Sequence, residues 1–194
     1  VLGFIVYPGP LVEAAAAAIE RADLLLTQLA VPLESVDRSI QIAVDRGVPI
    51  QMDPTPIGRG LPKLWHRSYR VTPNETEAEA MTGIAVSSLD DATKAAARLH
   101  EMGASEVVLK LGANGAFYSG TEQFHVPAFA VKPVDTTAAG DAFTAALGMA
   151  WKSMTPHRAL QFANAVGALA TTVAGAQPSM PTLDAVETFL AARK

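Results

Sequence analysis

The chain has 194 residues, 49% of them hydrophobic and 18% charged, which is typical of a globular protein with a substantial core and excludes a largely disordered chain. Its formal net charge is −4 and it has no basic stretch, so nucleic acid is not expected as a partner. The sequence contains no cysteine, which excludes disulfides, cysteine-ligated zinc and thiol catalysis by these residues.

Short apolar runs alternate with helical patterns in the first half of the chain. The runs are rich in valine, isoleucine and leucine and do not alternate with polar residues, as in strands buried on both faces of a parallel sheet. This rhythm predicts an α/β fold with a doubly wound, mainly parallel sheet and helices on both faces. The predicted strands are Phe4–Tyr7, Leu24–Leu29, Val48–Met52 and Tyr69–Thr72, and the predicted helices are Pro10–Ala22, Glu34–Arg46 and Glu75–Thr82.

The second half begins with a helix that Ser88 is predicted to cap, with Asp91 as its capping-box partner and Gly103 at its end. Glycine-containing turns then join three short runs, which predicts a local antiparallel patch at the sheet edge. No linker or internal repeat is present, so one domain spanning residues 1–194 is expected. The predicted strands are Val107–Leu111, Ala116–Tyr118 and Gln123–Val126, and the predicted helices are Gly140–Ser153, Pro156–Val173, with Thr155 as N-cap, and Thr182–Ala192.

The first residues lack a basic region and a small-residue cleavage site, and Pro8 and Pro10 interrupt their apolar run. No apolar run approaches the roughly 20 residues of a membrane-spanning helix. We therefore expect a soluble, cytoplasmic protein with no membrane partner.

Residues 135–141, with the sequence DTTAAGD, carry the most informative pattern. Ala138, Ala139 and Gly140 are small and lead into a predicted helix, so their backbone N–H groups can approach an anion at the positive end of the helix dipole. Asp141, in the first turn, can accept a proton from a hydroxyl that attacks a phosphoryl group. On these residues alone, tight packing and a carboxylate that satisfies the helix dipole explain the pattern equally well.

The same segment resembles the DTxAxGD signature of the ribokinase-like (PfkB) carbohydrate kinase family. Residues 72–79 resemble its NxxE region, residues 108–116 its nucleotide loop and residues 175–179 its cation and adenine loop, in the same order along the chain. The resemblance covers essentially the whole chain. It implies a ribokinase-like fold and an ATP-dependent kinase that phosphorylates a hydroxyl of a sugar or nucleoside-like acceptor.

The resemblance also implies roles for individual residues. Asp141 would be the catalytic base, and the amides of residues 138–140 would form an anion hole. Asn74 would face the ATP phosphates and Glu77 would organise Mg²⁺ through water, although their spacing alone also suits a helix cap. Asn164 would lie near the adenine. The nucleotide would follow Lys110, Leu111, Gly112, Ala113, Asn114 and Gly115, where Asn114-Gly115 is also a plain hairpin-turn signal.

A monovalent cation, usually K⁺ in this family, would lie beside the anion hole and strengthen it. Such a cation prefers oxygen ligands, and two of the matched residues offer only their carbonyl oxygens. The implied ligands are Asp135, Thr137, Ala170, Val173, Gly175 and Ser179.

Two features depart from the family pattern. Members carry an N-terminal portion with the start of the sheet, a β lid and a Gly-Gly-Asn sugar motif, none of which occurs in residues 1–194. We therefore expect the C-terminal portion of a kinase with the β lid missing, whose bare sheet edge favours a homodimer. In addition, Gln28-Leu29-Ala30 stands where the ribokinases of the family carry Gln-Leu-Glu, and Ala30 has no side-chain group for a sugar hydroxyl.

Two other classes of function remain to be weighed. A truncated, non-catalytic nucleotide-binding or interaction module is favoured by the missing N-terminal portion and Ala30, whereas the intact Asp141 and Glu77 argue against it. A dinucleotide-binding oxidoreductase is disfavoured because no G-x-G-x-x-G follows any predicted strand.

Overall fold

The computed structural model of the chain describes residues 10–193, so the predicted strand Phe4–Tyr7 lies outside the described residues. The helices are α1 (Pro10–Glu20), α2 (Leu33–Asp45), α3 (Glu75–Thr82), α4 (Leu89–Glu101), α5 (Ala139–Trp151), α6 (Pro156–Ala170) and α7 (Leu183–Ala191). The strands are β1 (Leu25–Thr27), β2 (Ile50–Met52), β3 (Arg70–Val71), β4 (Glu106–Lys110), β5 (Ala116–Ser119) and β6 (Gln123–Val126). Short 3-10 helices cover Ile57–Arg59, Trp65–Arg67 and Gly112–Asn114.

The strands form one sheet in the order β1-β2-β3-β4-β5-β6. Strands β1 to β4 pair in parallel, with Leu25 opposite Ile50 and Val71 opposite Val107. The connections at 111–115 and 120–122 are shorter than the dozen or so residues that a parallel crossover needs, so β4, β5 and β6 are joined as antiparallel hairpins. The predicted α/β class and mainly parallel sheet are confirmed, in a mixed sheet.

The parallel strands are shorter than the apolar runs that predicted them. Leu29 is fully buried, yet it follows β1, and its N–H donates to the Thr55 carbonyl at 2.8 Å. Burial thus extends beyond the residues that pair in the sheet. A hydrophobic run in the sequence predicts which residues are buried, and it therefore overestimates the length of the strand.

The helix ends follow local side-chain chemistry. Thr155 accepts the Arg158 N–H at the start of α6, as predicted. Ser88 accepts the Asp91 N–H at the start of α4, but the Asp91 carboxylate receives the Ser87 N–H, at 3.3 Å, in place of the Ser88 N–H expected for a capping box. Helix α6 ends at Ala170, short of the predicted Val173, because the hydroxyls of the two following threonines bond back to the helix carbonyls.

The chain divides into two compact units. The N-terminal unit contains residues up to Leu109 together with Tyr118–Gln123, and the C-terminal unit contains Lys110–Phe117 and the residues from Phe124 onward. The expectation of one domain over residues 1–194 stays a prediction. In the described part of the chain, no helix is both long and apolar enough to cross a membrane.

Candidate active site

A cavity of about 500 Å³ opens in the C-terminal unit. This volume is in the usual range of small-molecule sites, and most of the side chains that line the cavity are apolar. Its lining combines the predicted nucleotide loop, the start of α5, one face of α6 and the segment 128–133. The lining residues with polar side chains, in the part of the chain that the structure describes, are Lys110, Thr136, Asn164 and Thr171.

Helix α5 begins at one end of this cavity, where Ala139 and Gly140 line it. The Ala139 N–H is occupied, since it donates to the Thr136 carbonyl at 3.2 Å. The N–H groups of Gly140 and Asp141 lie in the first turn of α5, at the positive end of the helix dipole. This end of α5 therefore suits an anion, and the anion hole at residues 138–140 stays a prediction.

Ala138 precedes α5 in a left-handed conformation, with φ 60° and ψ 9°. It is the one non-glycine residue with positive φ among the described residues. For alanine this conformation costs about 1–2 kcal/mol. Such strain, at the turn that starts a candidate anion site, is a common mark of functional backbone.

Lys110 supplies a cation at the same end of the cavity. It is the last residue of β4, is 9% exposed and lines the cavity. A Cβ atom built on Gly140 would lie 3.8 Å from Lys110 Nζ, so the ammonium group lies beside the first turn of α5. The Lys110 ammonium thus adds to the helix dipole in attracting an anion to this end of the cavity.

The predicted nucleotide loop is a tight turn that only glycine completes. Gly115 has φ 93°, and a Cβ there would lie 2.1 Å from the Val126 carbonyl oxygen. The Leu111 N–H donates to the Gly115 carbonyl at 2.8 Å, and His125 Nε2 donates to the Asn114 carbonyl at 2.6 Å. The same residues therefore form both the hairpin turn and one wall of the cavity. Leu111, which was also expected to follow the nucleotide, instead packs its side chain into the interior.

Asn164, on α6, lines the cavity and is 7% exposed. Its Nδ2 donates to the carbonyls of Val126 and Pro127, at 3.0 and 3.2 Å. Because both neighbours are acceptors, the amide nitrogen must face them. Asn164 thus ties α6 to the segment that packs against Gly115.

Asp135 joins the two loops that were predicted to hold a cation. Its Oδ1 accepts the Thr137 hydroxyl at 2.6 Å and the Thr137 N–H at 2.9 Å, and its Oδ2 accepts the Gly175 N–H at 2.8 Å. These bonds, that of the Thr137 hydroxyl first, lower the pKa of Asp135 to about 2. The structure therefore brings Asp135, Thr137 and Gly175 together.

The other predicted cation ligands lie near these loops in the chain. Ala170 ends α6, and the carbonyl of the next residue, Thr171, accepts the N–H groups of Val134 and Asp135. Ser179 is buried and donates its hydroxyl to the Ala176 carbonyl, whereas the Val173 side chain is 46% exposed. A set of carboxylate, hydroxyl and carbonyl oxygens fits a hard cation. The binding of K⁺ by these residues stays a prediction.

In the N-terminal unit, Asn74 and Glu77 form a complete capping box at the start of α3. Asn74 Oδ1 accepts the Glu77 N–H at 2.9 Å, and Glu77 Oε2 accepts the Asn74 N–H at 2.8 Å. Glu77 is 5% exposed, and its Oε1 contacts the Thr55 hydroxyl, which lies 2.9 Å from Asp53 Oδ1. Because a hydroxyl has one proton, the buried carboxylates of Asp53 and Glu77 share the single proton of the Thr55 hydroxyl.

Asp53 and Thr55 were not anticipated from the sequence. They follow β2 directly, Asn74 follows β3, and Gln28-Leu29-Ala30 follows β1. Ligands of open α/β sheets bind outside the carboxyl ends of the strands. The position of Asp53, the first residue after a predicted strand, was the signal that could have identified it.

The chain has an α/β fold, with an exposed carboxylate, Asp141, in the first turn of a helix that begins at a cavity. The chain belongs to the pfkB family of carbohydrate kinases, whose model matches residues 9–183. It is 38% identical over 176 residues to a ribokinase from Haemophilus influenzae, a match that covers 90% of this chain and 58% of that protein. The predicted family is confirmed.

Solved structures agree with this assignment. The ribokinase of Arabidopsis thaliana, solved with ribose and ATP, is similar with a TM-score of 0.86 and 29% identity over 92% of this chain and 59% of that one. An E. coli protein assigned as a ribokinase II, solved with ATP and Mg²⁺, has a TM-score of 0.74 and 26% identity over 91% of this chain and 61% of its own. The chain therefore spans less than two thirds of the length of these relatives.

Proposed function

We propose that the protein transfers the γ-phosphoryl group of ATP to a hydroxyl of a sugar or related small molecule. The observation that carries this proposal is the first turn of α5, where Ala139, Gly140 and the buried Lys110 line a cavity of about 500 Å³ and the next residue is the exposed Asp141. The similarity to a ribokinase from Haemophilus influenzae and to the Arabidopsis thaliana ribokinase solved with ribose and ATP supports it.

In this mechanism Asp141 accepts the proton of the acceptor hydroxyl as its oxygen bonds to the γ-phosphorus. The bond from that phosphorus to the bridging oxygen breaks, and ADP leaves with the electron pair. The N–H groups of Gly140 and Asp141, with the ammonium of Lys110, stabilise the charge that the transferred phosphoryl oxygens carry. Asp141 is exposed, so an acceptor from solvent can reach its carboxylate.

Two cations belong to the proposal. Mg²⁺ would offset the charge of the β- and γ-phosphates, with Asn74 and Glu77 as its protein partners. Both Glu77 carboxylate oxygens already accept hydrogen bonds, which suits contact through water, the mode that Mg²⁺ often keeps in proteins. K⁺ held by the loops around Asp135 and Gly175 would add positive charge beside the anion site.

The acceptor is the least constrained part of the proposal. Ala30 is exposed and its methyl group cannot hydrogen-bond a sugar hydroxyl. A pentose or another polyol that is oriented by different residues is therefore the expected class. The proposed location is the cytoplasm, and the proposed assembly is a homodimer.

Ala30 also favours a second candidate, a module that binds nucleotide without transferring phosphate. One experiment separates the two. The chain is incubated with Mg²⁺, K⁺ and γ-labelled ATP, with ribose, 2-deoxyribose, fructose or no acceptor, and labelled sugar phosphate is separated from phosphate. Transfer to any sugar establishes the kinase. If calorimetry shows ATP binding but no labelled sugar forms, the non-catalytic module is favoured. If the chain shows no ATP binding and no transfer, both candidate functions are refuted.

A further inference from the structure

The asparagines of the chain lie in very different surroundings. They are Asn74, Asn114 and Asn164, and of the three only Asn114 is followed by glycine. Asn74 caps α3 through its Oδ1, and Asn164 is buried with its amide bonded to two carbonyls. Asn114 is exposed, at the end of the 3-10 turn that joins β4 to β5. It is therefore the asparagine that water reaches most easily.

An asparagine that precedes a glycine can react with its own backbone. The Gly115 nitrogen bonds to Asn114 Cγ, its proton passes through solvent to the side-chain nitrogen, and ammonia leaves. Water then opens the cyclic imide at either carbonyl, which gives aspartate or isoaspartate. Because glycine has no Cβ, the attacking nitrogen is sterically open, and asparagine is one of the residues that limit the thermal durability of proteins.

The turn holds this nitrogen by its longest backbone bond. The Gly115 N–H donates to the Gly112 carbonyl at 3.1 Å, whereas the Asn114 N–H donates to the Leu111 carbonyl, and the Leu111 N–H to the Gly115 carbonyl, at 2.8 Å each. Bonds of a 3-10 turn also have poorer geometry than those of an α-helix. Opening of this one bond frees the nitrogen while the two strands stay paired.

His125 acts on the same peptide group. Its Nε2 donates to the Asn114 carbonyl at 2.6 Å, and this carbonyl belongs to the peptide bond whose nitrogen is that of Gly115. As the nitrogen loses its proton, negative charge develops on the carbonyl oxygen, and a donor already in place there stabilises that charge. The contact therefore makes the Gly115 nitrogen a better nucleophile.

From these contacts we propose that Asn114 is a site of spontaneous deamidation promoted by His125, and that the isoaspartate product breaks the β4–β5 turn. The product has one more methylene in its backbone, which shifts Gly115. That residue packs so closely that an added Cβ would lie 2.1 Å from the Val126 carbonyl oxygen. Because Gly112 and Gly115 line the cavity, its wall changes with the turn. The resulting loss of nucleotide binding is a consequence that rests on the proposed function.

The test is incubation of the folded chain in mildly alkaline buffer, with peptide mass spectrometry to follow each asparagine. We expect Asn114 to deamidate at least about tenfold faster than Asn74 and Asn164, because the residues after these two carry side chains and lie in helices that must open further. An equal rate at either of them overturns the inference, as does an Asn114 that stays intact.

His125→Phe tests the promotion, because it keeps a ring and removes the donor. We expect deamidation of Asn114 to slow by about two- to tenfold. The matched control is His157→Phe, the same change at an exposed position of α6, which should leave the rate as it is in the wild type. An equal or higher rate in His125→Phe overturns the role of His125.

Asn114→Gln tests the consequence for the turn, because its longer side chain has to close a larger ring and does so far less readily. Each protein is compared with its own sample before incubation. The urea unfolding midpoint of the wild type should fall in proportion to its isoaspartate content, whereas that of Asn114→Gln should stay at its starting value. A wild type that has converted but keeps its midpoint overturns the breaking of the turn.

ADP titration of the same samples separates this inference from the proposed function. If the chain binds no ADP before incubation, the proposed nucleotide site falls while the deamidation site stands. If the converted chain binds ADP as tightly as before, the link between the turn and the cavity is wrong. The rates at the three asparagines of the wild type need no variant, so they decide the matter even where a variant fails to fold.

Discussion

Arg70 on β3 and Lys110 at the end of β4 are both buried cations, but their surroundings differ. Arg70 is 1% exposed, with its guanidinium 2.7 Å from Glu106 Oε2 and 2.9 Å from Gln51 Oε1. Glu106 Oε1 accepts the hydroxyls of Tyr69 and Tyr118 at 2.9 and 2.8 Å. Burial lowers the pKa of Arg70, and burial beside Glu106 raises the pKa of Tyr118 to about 12.

Lys110 instead lines a cavity, next to a helix start that attracts anions. Two carboxylates of the same unit, Asp135 and Asp141, lie in partly or fully exposed loop and helix-start positions. The buried charges of Arg70 and Glu106 have their partners inside the protein, so this network stabilises the pairing of neighbouring strands. Lys110 instead lies where a ligand from solvent can reach it, which is the position expected of a functional charge.

The largest expected effect tests the functional side of this contrast. Asp141→Asn removes the proposed base, and we expect the rate of phosphoryl transfer to fall by about a thousandfold while ADP affinity stays within a few-fold. Asp184→Asn is the matched control, since Asp184 is an exposed aspartate in the first turn of α7. Transfer rates measured with labelled ATP compare the two. Equal rates in both variants would mean that Asp141 only satisfies its helix dipole.

Disruption of the buried network around Arg70 should reduce the stability of the fold strongly, without a direct effect on ligand binding. Glu106→Gln leaves the Arg70 charge without its counterion, and we expect the free energy of unfolding to fall by about 3–5 kcal/mol. Urea unfolding measures the change. The control is Glu13→Gln, which breaks the exposed Glu13–Arg38 ion pair and should leave stability nearly unchanged. A comparable loss of stability in both variants would show that burial does not determine how much each ion pair contributes to the free energy of unfolding.

Lys110→Met sharpens the contrast between the two cations. It keeps the aliphatic stem and removes the charge beside Gly140, so ADP affinity should fall by about 10–100-fold. Unfolding midpoints should change less than in Glu106→Gln, because Lys110 lines a cavity. Lys63→Met, at an exposed position of the N-terminal unit, serves as the control in calorimetry. Unchanged ADP affinity in Lys110→Met would place the phosphates away from this lysine.

The strained turn before α5 predicts a small gain in stability. Ala138→Gly relieves the left-handed conformation at a cost in unfolded-chain entropy, and we expect a net increase of about 0.5–1 kcal/mol in the free energy of unfolding. Ala145→Gly, inside α5, should lower it by about 1 kcal/mol. If the positive φ of Ala138 is the cause, urea unfolding should show a higher free energy of unfolding for Ala138→Gly and a lower one for Ala145→Gly.

Acid titration gives the smallest expected effect. The folded-state pKa of Asp135 is lowered from 3.8 to about 2, so its ionised form stabilises the fold above about pH 4, and this contribution is lost as pH falls towards 2. The stability difference between wild type and Asp135→Asn should therefore shrink over that interval, as followed by circular dichroism. Exposure to solvent keeps the effect modest.

Local sequence was sufficient where local contacts decide the structure. Helix α3 spans the predicted Glu75–Thr82, because the Asn74–Glu77 capping box begins it and Gly83, with φ 76°, ends it. The turn at Gly115 and the start of α5 also depend on residues close in the chain. Short local patterns in the same order as in the family, with residues 135–141 the most informative, were likewise enough to indicate the family.

Other features depend on residues far apart in the chain, and only the tertiary structure decided them. The sharing of Thr55 by Asp53 and Glu77, the bond from Gly175 to Asp135 and the position of Lys110 Nζ beside Gly140 join segments that no periodicity relates. The same holds for Asn164, which the sequence placed near a base and the structure shows bonded to Val126 and Pro127. Sequence patterns report which side chains are buried or which turns are possible, whereas the partner of a buried polar group is set by where the packed elements meet.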